Sequence, residues 1–506
     1  MNERVPALRF GPGDARWRVL LIPPLFDEAN RMRRTLAMTM RALADQGVAS
    51  LLPDLPAQGE SLLPNEAATL ELWREGLREL ARNERPLIVA SWRGGALIDD
   101  AVEGALGWWR MSPVAGASLV RALLRTRIAG DKEGGRTTTA DSLRRDAAAA
   151  PVELGGYRLS GAMLDQLDRA TPVAVSPVRE VTPAEMNGSA LWLRSQPGED
   201  RAMAEAMAAD LANWGKELAT LAALATPPTS APEPKPPSPQ REIVWFDVDG
   251  SRCAATLDRA AGSTGLLIVS GGNEVRCGAH RGMAELAGTV AAEGWPVFRY
   301  DRRGIGDSEG ENREYLSAEP DIAAAARTFR EACPQVTRLV AFGNCDSATA
   351  LALFANAAGI DRLLLGNPWT LEDEGDGAPG DEAATPLPSP AEVRARYLAK
   401  LTQPSEWWRL LRGGVDLGKL AKGIARARQP DAPPAAVAER LLAALANGGD
   451  VRILLASRDR IAREFERTIR LPGLRIERVD SASHSFADDA ARDWLRARIL
   501  AALRED

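Results

Sequence analysis

The sequence predicts an α/β protein of two doubly wound domains in tandem, each a mostly parallel sheet with helices on both faces. Two observations predict it. Short apolar runs of strand length alternate with longer helical stretches, at the spacing that crossovers between parallel strands require. The same series is then written twice, on either side of a Pro/Ser-rich tract.

The elements follow in chain order. Val19-Leu20-Leu21-Ile22 is a buried-strand run, followed by a Pro-Pro loop and a helical stretch from about Arg31 to Gln46. The strand Ala49 to Pro53 leads into the octet Asp54-Leu55-Pro56-Ala57-Gln58-Gly59-Glu60-Ser61. Leu87 to Ala90 enters a sharp turn and an Ala-rich helix, and Trp108-Trp109-Arg110-Met111-Ser112-Pro113 lies beyond. Residues 226–241, TPPTSAPEPKPPSPQR, read as an extended linker between domains 1–225 and 242–506.

The series then restarts. Leu266-Leu267-Ile268-Val269 precedes a Gly-Gly loop and a helical stretch from about Gly282 to Glu293. Val297 to Tyr300 leads into Asp301-Arg302-Arg303-Gly304-Ile305-Gly306-Asp307-Ser308, which matches the first octet in length with Asp, Gly and Ser in register. Leu339 to Phe342 enters a second sharp turn, and Leu364-Leu365-Gly366-Asn367-Pro368-Trp369 answers the first half's Trp-Trp run.

Composition bounds the function. At 506 residues the chain exceeds one ordinary core. Its 45% hydrophobic and 26% charged content is that of a globular protein, and a net charge of −6 argues against nucleic acid or an anionic membrane as main partner. Met1 to Trp17 holds no apolar export segment and no run is long enough to cross a bilayer, so a cytoplasmic location is expected. Cys253, Cys277, Cys333 and Cys345 lack paired zinc spacing, so free thiols and no metal or cofactor are expected.

The chain has two histidines, His280 and His484, and none in the first half. Chemistry that needs an imidazole therefore belongs to the second half. There Gly343-Asn344-Cys345-Asp346-Ser347 reads as a strand-turn-helix elbow, with small residues two before and two after Cys345. Asp459 follows the strand Val451 to Ala456, and His484 follows the strand Ile476 to Val479. The order nucleophile, acid, histidine is that of the α/β-hydrolase fold. Asp480 competes as the acid but stands close to His484 in sequence.

The backbone N–H of Asp346 is one candidate oxyanion donor. The other is that of Gly272 or Asn273, in Ser270-Gly271-Gly272-Asn273, unless these are simply turn residues. The Asp346 carboxylate opposes a neighbouring thiolate, so it is expected to point away or to be hydrogen-bonded. His280 either orients substrate or the Gly-Gly loop, or caps a helix.

Residues 371 to about 445 interrupt the second core as a lid insert, with Trp407-Trp408-Arg409-Leu410-Leu411 and a basic stretch of Lys419, Lys422, Arg426 and Arg428. The lid either packs over the site or touches membrane or a lipid-like acyl chain. In the first half the elbow reads Ser91-Trp92-Arg93-Gly94-Gly95, which puts Arg93 at the nucleophile point. Arginine stays protonated and is no nucleophile. This half is then a degenerate hydrolase that binds an anion through Arg93 or serves as a structural partner.

Both halves resemble known families. Residues 19–185 are similar to exosortase A system-associated hydrolase 2, through IPPLFDEANRMRR, LLPDLPAQGES, SWRGGALI and PVELGGYRLS. Residues 264–500 are similar to exosortase A system-associated hydrolase 1, through GAHR, YDRRGIGDSEG, FGNCDSATAL, GNPW, EWWRLLRGGVDLGKL and SHSF. The resemblance implies a fusion of two α/β-hydrolase-like proteins tied to exosortase and exopolysaccharide systems of Gram-negative bacteria. It implies cysteine at the active elbow, matched by Cys345, a C-terminal histidine, matched by His484, and a non-nucleophilic residue at the other elbow, matched by Arg93. Ser91 departs from the glycine usual there. The expected activity is acyl hydrolysis, esterase or thioesterase, on a small-molecule or lipid-linked acyl substrate. Acyl transfer and a non-catalytic scaffold are the alternatives.

Overall fold

A computed structural model describes residues 5–222, 241–371 and 436–505, except Asn83, Arg85, Gly134, Gly135, Ser195 and Gly448. The expected linker lies outside the described residues but for Arg241, and so does nearly all of the expected lid. The chain divides into two compact units. One is Met1–Trp369 with Leu441–Asp506, and holds both halves; the other is Thr370–Arg440.

The first half forms a six-stranded sheet. Its strands are β1 (Ala7–Phe10), β2 (Arg18–Ile22), β3 (Ala49–Pro53), β4 (Leu87–Trp92), β5 (Gly107–Met111) and β8 (Val178–Val181), in the order β1-β3-β2-β4-β5-β8. Only β1 is antiparallel to its neighbour. A separate hairpin joins β6 (Val152–Leu154) to β7 (Tyr157–Leu159). The helices are α1 (Asp27–Asp45), α2 (Leu70–Arg82), α3 (Gly116–Glu133), α4 (Ala140–Ala149), α5 (Gly161–Arg169) and α6 (Arg201–Leu221).

The second half forms an eight-stranded sheet. Its strands are β9 (Arg241–Val248), β10 (Ser251–Asp258), β11 (Thr264–Val269), β12 (Val297–Tyr300), β13 (Arg338–Asn344), β14 (Arg362–Gly366), β15 (Asp450–Ala456) and β16 (Arg475–Val479). Their order is β16-β15-β14-β13-β11-β12-β10-β9, parallel from β16 to β12. Its helices are α7 (Gly282–Ala292), α8 (Glu319–Ala332), α9 (Asp346–Phe354), α10 (Ala436–Ala446), α11 (Arg460–Thr468) and α12 (Asp489–Arg504).

Read side by side, β1-β3-β2-β4-β5-β8 matches β10-β12-β11-β13-β14-β15 strand for strand. The first sheet has no counterpart of β9 or β16 among the described residues. Helices on both faces make the strands apolar throughout rather than alternating. In β2, Leu20 and Ile22 enter the core on one face, Val19 and Leu21 that on the other, all fully buried. Burying each such side chain contributes about 1.5–3 kcal/mol.

The matched octets fold alike. Ala57 and Gly304 have φ 60° and 74°, and Gly59 and Gly306 have φ 48° and 50°. A β-carbon at Gly59 would strike Asp54, and one at Gly306 would strike Asp301, so each octet wraps its own first aspartate. The octets face a shared charged core. Arg33 bridges Asp54 (2.8 Å) and Asp307 (2.7 Å), and Glu60 takes Arg299 at 2.6 Å and Arg276 at 3.6 Å. Burial opposes charge on Glu60, but Arg299, Arg276 and Arg241 hold its carboxyl down at about 2. Asp307 is likewise held well below the usual carboxylate range, with Arg33 and Arg276 overcoming burial.

Candidate functional site

Cys345 stands between the end of β13 and the start of α9 with φ 65° and ψ −128°. A residue with a β-carbon is strained there by about 1–3 kcal/mol, so the surroundings must hold it. They do so through small residues. A β-carbon on Gly343 would meet the Ser347 backbone at 2.9 Å. Ser347 is fully buried; its hydroxyl donates to the Val269 carbonyl and accepts the Asn344 N–H. The Cys345 N–H donates to the Gly366 carbonyl at 2.9 Å.

The histidine arrives from the last strand. His484 Nδ1 is 3.0 Å from Asp459 Oδ2. Asp459 caps α11, the same oxygen accepting the Ala462 N–H at 3.0 Å, which fixes the carboxylate. Burial favours the neutral imidazole, but the hydrogen bond from Asp459 and the hydrogen bond and charge of Cys345 outweigh it and lift His484 to about 10. The Cys345 thiol, His484 and Asp459 thus form one hydrogen-bonded line. Asp480, the competing acid, is 82% exposed and paired with Arg458 at 2.9 Å.

Two asparagines that sequence reasoning passed over lock this line together. Asn344 Nδ2 and Asn367 Nδ2 both donate to the His484 carbonyl, at 3.1 and 3.0 Å, while Asn367 Oδ1 accepts the Ala456 N–H. One neighbours Cys345 and the other ends β14, so elbow, acid strand and histidine loop share one network. Both stood in quoted motifs, but their partner lies more than a hundred residues away.

Gly272 departs from the expectation of a free donor. Its N–H donates to Asp346 Oδ1 at 2.5 Å. The carboxylate is also 3.7 Å from Arg302, whose guanidinium donates to the Gly272 carbonyl. Asp346 is therefore hydrogen-bonded, as expected, but to the group that was to meet an oxyanion. Asn273 accepts from the Asn312 side chain at 2.7 Å.

His280 is not brought to Cys345. Its ring packs edge-on against Tyr157 at 5.3 Å, and Nδ1 is 3.9 Å from Asp27, both in the first half. Burial lowers its pKa, with Asp27 pulling the other way. Arg93 repeats the left-handed bend, φ 53°, but its guanidinium is spoken for. It pairs with Glu28 at 3.2 Å and lies over Trp192 at 5.1 Å, which leaves little for an external anion. Ser91 is fully buried and donates to Asp99, which Arg110 grips through two bonds.

Burial pushes the thiols of Cys253, Cys277 and Cys333 up, Cys253 to about 12, whereas Cys345 is partly exposed. Among the described residues no group of three or more His, Cys, Asp and Glu could hold a metal ion, and no helix is long and apolar enough to cross a membrane.

The topology and elbow of the second half are those of an α/β-hydrolase fold. No family model and no curated protein matches the chain. Among solved structures it is similar to the Pyrococcus furiosus esterase Pf2001, at 13% identity and a TM-score of 0.33, over 52% of this chain and 89% of that one. It is similar to mouse alpha/beta hydrolase domain-containing protein 10, at 12% identity and a TM-score of 0.29, over 52% of this chain and 98% of that one. It is also similar to the thioesterase domain from the curacin biosynthetic pathway, at 14% identity and a TM-score of 0.31, over 52% of this chain and 99% of that one.

Proposed function

We propose that the second half is a thiol-dependent acyl hydrolase of the esterase or thioesterase type, and that the first half is non-catalytic. The observation that supports it is His484 held between Asp459 and the Cys345 thiol at a helix N-terminus. The imidazole takes the thiol proton, and Asp459 keeps its tautomer. The sulfur forms a bond to the acyl carbon while the bond to the alcohol or thiol breaks, and His484 protonates the leaving group. Water, deprotonated by His484, then attacks the thioester, releasing the acid and restoring the thiol. No cofactor is invoked. The resemblance to the exosortase-associated families suggests a small-molecule or lipid-linked acyl substrate of exopolysaccharide export, with that machinery as partner.

The Asp346 carboxylate on the Gly272 N–H favours a second reading, a binding or scaffold protein without turnover. A chloromethyl ketone or fluorophosphonate probe with mass mapping separates the two. Labelling at Cys345 that vanishes in His484→Ala supports catalysis; a folded protein that stays unlabelled supports the scaffold.

A further inference from the structure

The two halves meet across a seam that repeats itself. Asp54 answers Asp301, Ser61 answers Ser308, Arg34 answers Arg281 and Asn30 answers Cys277, all at the one spacing of 247 residues. Arg34 donates to the carbonyls of Ser308 and Gly310 in the second half. Arg281 donates to those of Ser61 and Leu63 in the first, which are the matching positions. Asn30 and Cys277 touch each other, Oδ1 to Sγ 3.6 Å. Equivalents in mutual contact mark a local two-fold axis, so the seam is isologous, like the interface of a symmetric dimer.

The seam runs beside the elbow. Asn30 on α1 donates to the Gly278 carbonyl at 3.1 Å, and Asp27 on α1 reaches His280. Asp27 also faces Glu274, whose carboxyl burial and that neighbour push up to about 8. The Glu274 N–H closes a turn onto the Gly271 carbonyl, which places Gly272 against Asp346 and so next to Cys345. On its other side the segment is held by its own half, through Arg276 N–H to Asp301 at 2.6 Å and Arg302 to the Gly272 carbonyl. Residues 271–281 lie outside sheet strands and include left-handed residues at Gly272, Gly278 and His280, so packing from both sides sets their place.

We propose that the first half is a positioning partner for the second half's oxyanion loop, with Asn30 and Arg34 of α1 as positioning residues that hold 271–281 so that the Gly272 N–H sits beside Cys345. This rests on the acyl-transfer reading above. An oxyanion donor must lie within 2.7–3.1 Å of the developing charge, and a misplacement of about 1 Å can cost about 10²-fold.

The full-length chain tests this through Asn30→Ala and Arg34→Met. Three quantities are read: amide exchange of 271–281, kcat and KM for p-nitrophenyl acetate, and the rate of Cys345 alkylation by iodoacetamide, which forms no oxyanion. The expected result is exchange at least tenfold faster in that segment and kcat about tenfold lower in Asn30→Ala, and lower still in Arg34→Met, with KM and alkylation within twofold. Unchanged exchange overturns the proposal, as does a parallel fall of kcat and alkylation. If Arg34→Met does not fold, Asn30→Ala decides alone. If the parent chain hydrolyses no ester, the acyl-hydrolase reading fails separately, and the exchange measurement still decides whether α1 holds the loop.

Discussion

At Arg93 and at Cys345 the backbone makes the same left-handed bend, φ 53° and 65°, after matching strands of two matching sheets. Around Cys345 the bend is surrounded by a line of proton carriers. Around Arg93 it is closed by an ion pair with Glu28 and a Trp192 ring. The first sheet stops at the counterpart of β15, and the half that carries it has no histidine. The bend survives where the chemistry does not, because the sheet and helix on either side of it must still be joined. Strain at an elbow is therefore a feature of the scaffold, and the side chains that converge on it decide whether it works.

The sharpest way to break this comparison is to disarm the second elbow. Cys345→Ala and His484→Ala should each lower acyl turnover on the order of 10⁴-fold or more, without loss of folding by circular dichroism. Conversely, Arg93→Cys should add no turnover and no second site of probe labelling, since a thiol there finds no base.

The next effect is on stability. Removing one partner of a buried ion pair leaves a bare charge, so Glu60→Gln should cost about 3–5 kcal/mol in denaturant unfolding at pH 7. The sign with pH follows from a carboxyl held at about 2 against an ordinary 4.5. The unfolded chain takes up the proton first, so this stabilisation is whole above 4.5 and drains away as pH falls toward 2. An acid titration that shows no extra loss in that window in the parent chain relative to Glu60→Gln would contradict it.

The two histidines sharpen the contrast spectroscopically. His484 is raised from 6.5 to about 10, so the stabilisation from its charged form is whole below 6.5 and is lost as pH rises through 10. His280 moves down, because burial disfavours its charge. Two imidazole proton signals should titrate on opposite sides of 6.5; coincident titrations would undo the assignment. The smallest effect is that of Arg93→Ala, whose half-shielded pair with Glu28 should be worth about 1 kcal/mol or less.

Much of this was legible in the sequence because parallel strands covered on both faces are unbroken apolar runs. The runs at 19–22, 49–53, 297–300 and 451–456 fall on strands within a residue of their ends. The antiparallel strands β1, β9 and β10 were not read. β9, REIVWFDV, mixes charged and apolar residues without clean alternation, in keeping with its mostly half-buried edge position. In the site, Cys345, Asp459 and His484 could be placed from their order along the strands. The company kept by Asp346 could not, since its carboxylate is set by a loop seventy-four residues upstream. Arg34 and Arg281 looked like surface helix residues; only the pairing of the halves buries them.

That pairing has a consequence for how the protein is made. Two free subunits with such matching faces would assemble in proportion to their abundance and fall apart on dilution. A short covalent tether sets the local concentration of one for the other on the order of mM, whatever the amount in the cell. Stoichiometry is settled at translation, and neither half is ever synthesised in excess of its mate.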